Sequence, residues 1–202
     1  KPLPRHLNDG FISNQISPHK DMDGVNTINL GKLLTGEDGF IPCTAEAVME
    51  LIKYYEIETD GKHAVILGRS NVVSKPLAAL LLRKGKFGNA TVTVCHSRTI
   101  NMTSITKTAD ILISAIGKAN YVTPDFIRPN TICIDVGINL VNDPEKGNIY
   151  VGDFDYNRCL DSVLAITPVP GGIGSITTSV LLRNLVKAAL KRQHPEKSLT
   201  DI

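Results

Sequence analysis

Four short apolar runs, each five or six residues long, decide most of what this chain can fold into. They are His63–Leu67 (HAVIL), Thr91–Cys95 (TVTVC), Ile111–Ala115 (ILISA) and Thr131–Val136 (TICIDV), bounded by Gly, Asn or Pro. Continuous rather than alternating, and rich in β-branched residues, they suit strands buried on both faces. Between the first two lies Lys75–Lys84 (KPLAALLLRK), which predicts a helix starting near Pro76, since proline is tolerated in a first helical turn. Strand, helix, strand implies a right-handed crossover and a parallel sheet.

Two further helices flank this unit. Thr44 can cap a helix running to about Tyr55, with Val48, Leu51, Ile52 and Tyr55 on one side. A last helix, from Ile176 to Arg192, sets Val180, Leu181, Leu185, Ala188, Ala189 and Leu190 along a similar stripe. Residues 1–40 read as loop with one short helix near Asp9–Ile16, too sparse in core residues to form a domain alone. The polar stretch from His194 onward is expected to fray.

A net charge of +2 on 202 residues, with no basic stretch interleaved with aromatics, gives no electrostatic reason to expect nucleic acid or an anionic membrane as partner. No apolar run approaches the ~20 residues that cross a bilayer. Cys43, Cys95, Cys133 and Cys159 are scattered without zinc or redox spacing, and Cys95 and Cys133 sit inside strand-like runs, where a thiol behaves as a small hydrophobe. The expectation is a reducing, intracellular setting. The five histidines do not cluster, so no metal site is expected; His96 is expected only to shape a loop. Lys1 is not an initiator methionine, and Lys1-Pro2-Leu3-Pro4 reads as the interior of a longer sequence.

The turn after the first strand runs Gly68-Arg69-Ser70-Asn71-Val72-Val73-Ser74-Lys75-Pro76. Glycine between a strand and a helix lets backbone approach a pyrophosphate, which the helix N-terminus favours. Only one glycine of the G-x-G-x-x-G fingerprint is present, and a plain tight turn fits equally well. At the end of the next strand, where a ribose 2′-hydroxyl would call for an acid, the sequence is Cys95-His96-Ser97-Arg98. Arg98 and Arg69 suit a 2′-phosphate, which favours NADP over NAD; the alternative is that Arg98 is a solvated loop cation.

Thr167–Gly174 (TPVPGGIG), with three glycines and the two prolines Pro168 and Pro170, reads as a rigid loop before the last helix. It suits a flat ligand or an anion, or equally an interdomain hinge. In Lys20–Gly24 (KDMDG) an extended backbone sends Asp21 and Asp23 to opposite sides, so they are no acid–base pair. One carboxylate suits a substrate aminopyrimidine; an Asx-turn is the plainer reading.

Taken in order, KDMDG, Pro42-Cys43-Thr44, GRSNVVSKP, TVTVCHSRT, Ala109–Gly117, Ile134–Asn139, Gly152-Asp153 and Ile166–Gly174 resemble the bifunctional methylenetetrahydrofolate dehydrogenase/methenyltetrahydrofolate cyclohydrolases, from Lys1 to about Arg192. The resemblance implies an α/β fold: a Rossmann-like parallel-sheet cofactor domain (57–165) plus the remnant of a second α/β catalytic domain (1–56, with 166–202 returning to it). It implies NADP-dependent oxidation of 5,10-methylenetetrahydrofolate and hydrolysis of the product to 10-formyltetrahydrofolate, in one-carbon and purine metabolism. Gly68, Arg69 and Ser70 would line the cofactor phosphates, Ser97 and Arg98 the 2′-phosphate, and Ile138 the nicotinamide. Asp23, the one catalytic candidate, would hold the pterin, while Pro170, Gly171, Gly172, Ile173, Gly174 and Thr177 border the folate. A homodimer is implied, in the cytoplasm or, in a eukaryote, the mitochondrial matrix.

Three departures stand out. The family's Y-x-x-x-K pair occurs nowhere in the chain, and Lys1–Pro4 aligns with the end of a V-Q-L-P-L-P segment, so the expectation is a parent enzyme extending before Lys1. Ser74 replaces a usual glycine, and Gly174–Thr177 (GSIT) replaces G-P-M-T. An apolar face is therefore expected on both the Thr44–Tyr55 helix and the last helix. The competing readings are a non-catalytic NADP-binding or assembly module, and an oxidoreductase of the shikimate-dehydrogenase sort; the KDMDG and ITPVPGG segments speak against the latter.

Overall fold

The computed structural model describes residue 4, residues 6–194 and residues 196–199. Most of the Lys1–Pro4 alignment thus lies outside the described residues. Among the described residues, seven strands and seven α-helices follow in chain order: α1 (Asp9–Gln15), α2 (Thr27–Thr35), α3 (Cys43–Tyr54), β1 (His63–Leu67), α4 (Ser74–Leu82), β2 (Thr91–Cys95), α5 (Met102–Thr106), β3 (Ile111–Ser114), β4 (Ile132–Asp135), β5 (Asn139–Asp143), β6 (Gly147–Val151), α6 (Tyr156–Cys159), β7 (Ala165–Ile166) and α7 (Ile173–Gln193).

Five strands form one parallel sheet in the order β2-β1-β3-β4-β7. The four predicted strands are its first four members. Their side chains sort by parity, as a sheet covered on both faces requires. Ala64, Ile66, Ile111, Ile113 and Ile134 face one core with Val48 and Ile52 of α3 and Leu77 and Leu81 of α4. Val65, Leu67, Leu112 and Cys133 face a second core with Val122, Phe154 and Cys159. Leaving β1, the chain passes through α4 to β2 on one side, then through α5 to β3 on the other. That reversal puts a crevice at the carboxyl ends of β1 and β3.

Local signals explain where several predicted boundaries moved. Thr44 does not cap α3: the helix starts at Cys43 after Pro42, whose backbone sets the entry, and no side chain caps it. α4 begins at Ser74, two residues before Pro76. α7 begins at Ile173, so Ile173 and Gly174 are its first residues rather than the end of a loop.

Residues 1–40 hold more structure than the sequence reading gave them. Besides α1, capped by the Asn8 side chain onto the Phe11 N–H, there is α2, capped by Asn26 onto the Ile28 N–H and closed by Gly36 in the left-handed conformation. The last residues do not all fray: Leu199 is buried, its N–H donating to the Asp38 carboxylate and its carbonyl accepting from Lys187 Nζ at 2.8 Å.

The expected apolar faces are also divided. α3 uses its own, burying Ala45, Val48, Met49, Leu51 and Ile52 against the sheet, α4 and α7, and exposes only Tyr54 and Tyr55 among its large apolar residues. α7 buries Ile173, Val180 and Asn184 in a narrow seam on α3, leaving Leu181, Leu182, Leu185 and Val186 exposed. Of the predicted stripe, Val180 is buried in that seam, whereas Leu181, Leu185, Ala189 and Leu190 face outward. No helix among the described residues is long and apolar enough to cross a membrane.

Candidate functional site: a glycine-walled cleft at the sheet's switch point

The crevice is built by four strand ends. From β1, Gly68 adopts φ +118°, and a β-carbon there would lie 2.5 Å from the Ala115 carbonyl oxygen and 2.9 Å from Ser74 Oγ. Its N–H donates to the Cys95 carbonyl at 2.8 Å, which ties the turn to the end of β2. Ser70 Oγ accepts the Val72 and Val73 N–H groups, shaping the turn into the start of α4. Leu67–Ser70, Cys95–Ser97, Met102, Ala115, Ile116, Lys118 and Tyr121 line a cavity of about 290 Å³.

Arg69 and Arg98 are exposed, and Ser97 is exposed on the cavity rim. His96 Nδ1 lies 3.1 Å from the Arg98 N–H, so the imidazole holds the Arg98 backbone in place. Fully buried without a hydrogen-bond partner, the Ser74 hydroxyl sits behind this turn. A turn that leaves no room for a β-carbon, at the start of a nine-residue helix, fits a pyrophosphate pressed against backbone.

Two more cavities continue along the strand ends. One of about 370 Å³ is lined by Thr44, Val73, Ala115, Gly117, Val136–Ile138, Ile173, Gly174 and Thr177. The other, about 240 Å³, is lined by Asp135–Ile138, Tyr150 and Val169–Ser175, and its glycine–proline loop contains a cis Val169–Pro170 bond. Ile138 is shared by both and is exposed, with its side chain beside Gly174. The structure thus brings Gly68, Ser70 and Ser97 to one end of the cleft and Ile138, Pro170–Gly174 and Thr177 to the other.

Asp23 lies in neither cavity. It is exposed, whereas Asp21 is buried and accepts from the Asn26 N–H and Asn29 Nδ2, both at 2.8 Å. The two carboxylates do point apart, and Asp21 is the structural one. Asn184 of α7 donates to the Met22 carbonyl at 3.0 Å, and the Cys43 Sγ donates to the same oxygen at 3.3 Å. Burial, with Asp23 adding its charge, pushes the Cys43 thiol up to about 12, so it stays protonated.

Sequence reasoning gave no role to the groups that hold the cleft together. Asp153 is fully buried after β6 and accepts five hydrogen bonds. Its Oδ2 takes Ser114 Oγ (3.0 Å) and the Ile116 and Gly117 N–H groups (2.8 and 3.2 Å). Its Oδ1 takes the Lys118 N–H (2.9 Å) and Asn139 Nδ2 (3.0 Å). One carboxylate therefore fixes the loop leaving β3 and the segment leaving β4.

Asp135, at the end of β4, accepts from the Gly137, Asp153 and Phe154 N–H groups at 2.9, 3.0 and 2.9 Å. Burial pushes its carboxyl up to about 6 against those amides, with Asp153 adding to the rise.

Asp135 carries a pH consequence. A carboxyl whose folded pKa lies above its ordinary 3.8 favours the fold while neutral, and that contribution is lost as pH rises through about 6. Two pH units correspond to about 3 kcal/mol. From pH 4 to pH 7, the unfolding free energy of the chain is expected to fall by up to about that amount relative to Asp135→Asn. Urea titrations at both pH values test it, and an equal pH dependence in the two proteins rules it out.

A parallel sheet in this strand order, with a glycine turn at the reversal and phosphate-suited amides at a helix start, defines a dinucleotide-binding α/β domain. Residues 42–193 match the family model described as tetrahydrofolate dehydrogenase/cyclohydrolase, NAD(P)-binding domain. The chain belongs to the tetrahydrofolate dehydrogenase/cyclohydrolase family. It is 53% identical over 192 residues to the bifunctional protein FolD of Chlamydia muridarum, a match covering 94% of this chain and 67% of that protein.

Among solved structures, the bifunctional FolD dehydrogenase/cyclohydrolase of Campylobacter jejuni superposes with a TM-score of 0.87 at 42% identity, over 95% of this chain and 66% of that one. The Trypanosoma brucei methylenetetrahydrofolate dehydrogenase-cyclohydrolase, solved with NADP and an inhibitor, gives 0.86 at 38%, over 96% and 65%. The chain thus spans about two thirds of the length of these relatives.

Proposed function

We propose that this chain binds NADP along the cleft and a tetrahydrofolate derivative beside Ile138. Together they serve the oxidation of 5,10-methylenetetrahydrofolate and the hydrolysis of the methenyl product, the reactions named for its relatives. The observation that carries the reading is the Gly68 turn, where backbone stands in place of any side chain at the sheet's switch point. Residues 57–165 form the cofactor unit, and 1–56 with 166–202 form the folate-facing layer. Gly68, Arg69 and Ser70 hold the cofactor phosphates, while Ser97 and Arg98 hold the 2′-phosphate. When bound, NADP supplies the hydride acceptor.

Ile138 orients the nicotinamide by packing at the junction of the two cavities. Pro170–Gly174 and Thr177 border the folate, with Asp23 at the pterin end of the same layer. Because Asp23 is the exposed carboxylate of Lys20–Gly24 while Asp21 is buried, it is the group suited to the aminopyrimidine edge. Support for the folate assignment comes from the family match together with the glycine–proline loop. Pairing of two copies through the cofactor units, and work in the cytoplasm on one-carbon units for purine synthesis, complete the proposal.

Arg98→Ala is expected to weaken NADP binding roughly ten- to hundred-fold while leaving NAD nearly unchanged, because a guanidinium fork on phosphate has no counterpart on a hydroxyl. Calorimetry with both cofactors on both proteins measures this. The wider proposal is tested by NADP calorimetry and by NADPH formation from methylenetetrahydrofolate on the same sample. Failure of the wild-type chain to bind NADP overturns the cofactor assignment. Binding without turnover locates the acid–base chemistry outside these residues, and turnover locates it within them.

A further inference from the structure

Asp135 and Asp153 stand one behind the other at the cleft, Asp135 lining the cavity it shares with Gly137 and Ile138. Both are buried, at 3% and 0% exposure, and among the described residues neither has an ion-pair partner. Every hydrogen bond to them comes from a neutral donor: six backbone amides, one hydroxyl and one carboxamide. Lys118 gives Asp153 only its backbone N–H, its ammonium being turned over the Tyr121 ring, 5.1 Å from the centroid, while Arg158 pairs with Asp155 at 3.5 Å and Arg128 with Asp110 at 2.7 Å. The other titratable groups around Asp135 are Cys133, Cys159 and the cavity-lining Tyr150, none of which carries positive charge.

A buried carboxylate lining a cavity, with no ion-pair partner among the described residues, favours a cation in that cavity. An oxidised nicotinamide ring carries a formal positive charge that the reduced ring lacks. We infer that Asp135, backed by Asp153, is a specificity-determining group that makes the cleft prefer the oxidised over the reduced nicotinamide cofactor. The inference rests on the cofactor reading above, which puts the nicotinamide at Ile138.

The two carboxylates pack tightly at the strand ends because the backbone beside them is bare. Gly137 and Gly152 stand where a β-carbon would fall 2.2 Å from Asp153 Oδ1 and 1.9 Å from Asp135 Oδ2, respectively. No side chain can be interposed between the carboxylates and the strand ends. Two features of the site temper the size of the preference. The amide bonds to Asp135 spread its charge, and Tyr150 lines the same cavity without neutralising it. A unit charge across such a wall still changes an equilibrium by roughly ten-fold at an effective dielectric near 20.

The test is the ratio of dissociation constants for NADPH and NADP⁺, measured by calorimetry at pH 8 on the wild-type chain and on Asp135→Asn. The ratio is expected to fall about ten-fold in the variant, chiefly through weaker NADP⁺ binding. An unchanged ratio, with both forms still bound, overturns the inference while sparing the cofactor reading. Failure of the wild-type chain to bind either form overturns that reading instead.

If Asp135→Asn does not fold, the same linkage is read on the wild-type protein from the carboxyl ¹³C resonance of Asp135. Saturating NADP⁺ is expected to lower its titration midpoint about one pH unit further than NADPH does. Equal midpoints in the two complexes overturn the inference.

Discussion

Asp153→Ala is expected to remove about 4 kcal/mol or more of unfolding free energy, a large share of the 5–15 kcal/mol that holds a typical domain together. The substitution takes the acceptor from five donors at once: Ser114 Oγ, three consecutive amides at Ile116–Lys118 and the Asn139 carboxamide. A buried donor left unpaired costs about 1–3 kcal/mol, and water entering the gap can answer only some of them. Asp153→Asn keeps one acceptor oxygen and is expected to lose less. Urea unfolding of the three proteins measures the series, and a loss below about 1 kcal/mol for the alanine variant would show that the hub is not energetically central.

The second large effect belongs to binding. Gly68→Ala is expected to lower NADP affinity by roughly a hundred-fold or more, equivalent to about 2.8 kcal/mol. Its β-carbon would meet the Ala115 carbonyl oxygen at 2.5 Å, so the turn or the β3 loop must retreat, and both line the cavity. Gly85 is the control. It has nearly the same φ, +121° against +118°, but nothing lies within 4 Å of its would-be β-carbon. Gly85→Ala therefore carries the conformational strain of about 1–3 kcal/mol without the crowding. Calorimetric affinities for the two variants should differ strongly; similar affinities would mean that strain alone, and not the close approach at the cleft, governs Gly68.

The parts legible in the sequence are those whose cause is local. HAVIL and ILIS are strands because continuous β-branched runs bounded by turn residues have few other uses, and Lys75–Leu82 is helical because leucine and alanine recur without interruption, although the predicted helix ran on to Lys84. Gly68 announced itself by standing between a strand and a helix. α2 was hidden by Gly31 in mid-helix, although its cap residues Asn26 and Gly36 were in plain view. The β5–β6 hairpin, paired from Asn139↔Val151 to Asp143↔Gly147, was missed because its short polar strands lack a buried face to impose a pattern.

Asp153 belongs to a different category. Gly152-Asp153 contributed to the family resemblance but suggested no role, because its partners lie 14 to 39 residues away along the chain. No local spacing connects a single carboxylate to amides that meet it only once the sheet has formed. The same holds for Asn184, which reaches Met22 across 162 positions. Asp23 shows the converse: its segment was conspicuous, yet the sequence pattern could not say which of its two carboxylates turns outward.

The seam between α3 and α7 reaches beyond the cleft to the order in which the chain can be assembled. Arg183 pairs with Glu46 at 2.6 Å, and Leu199 meets Asp38, so the layer that α2 and α3 open is closed only by α7 and Leu199. Everything between them, the sheet included, is an insertion into that layer. On a ribosome delivering the chain from its N-terminus, the strands and α4 can collapse while α3 still has one flank bare. Completion waits for the final helix. A premature stop near residue 170 would spare every strand described and still strip the cover from α3.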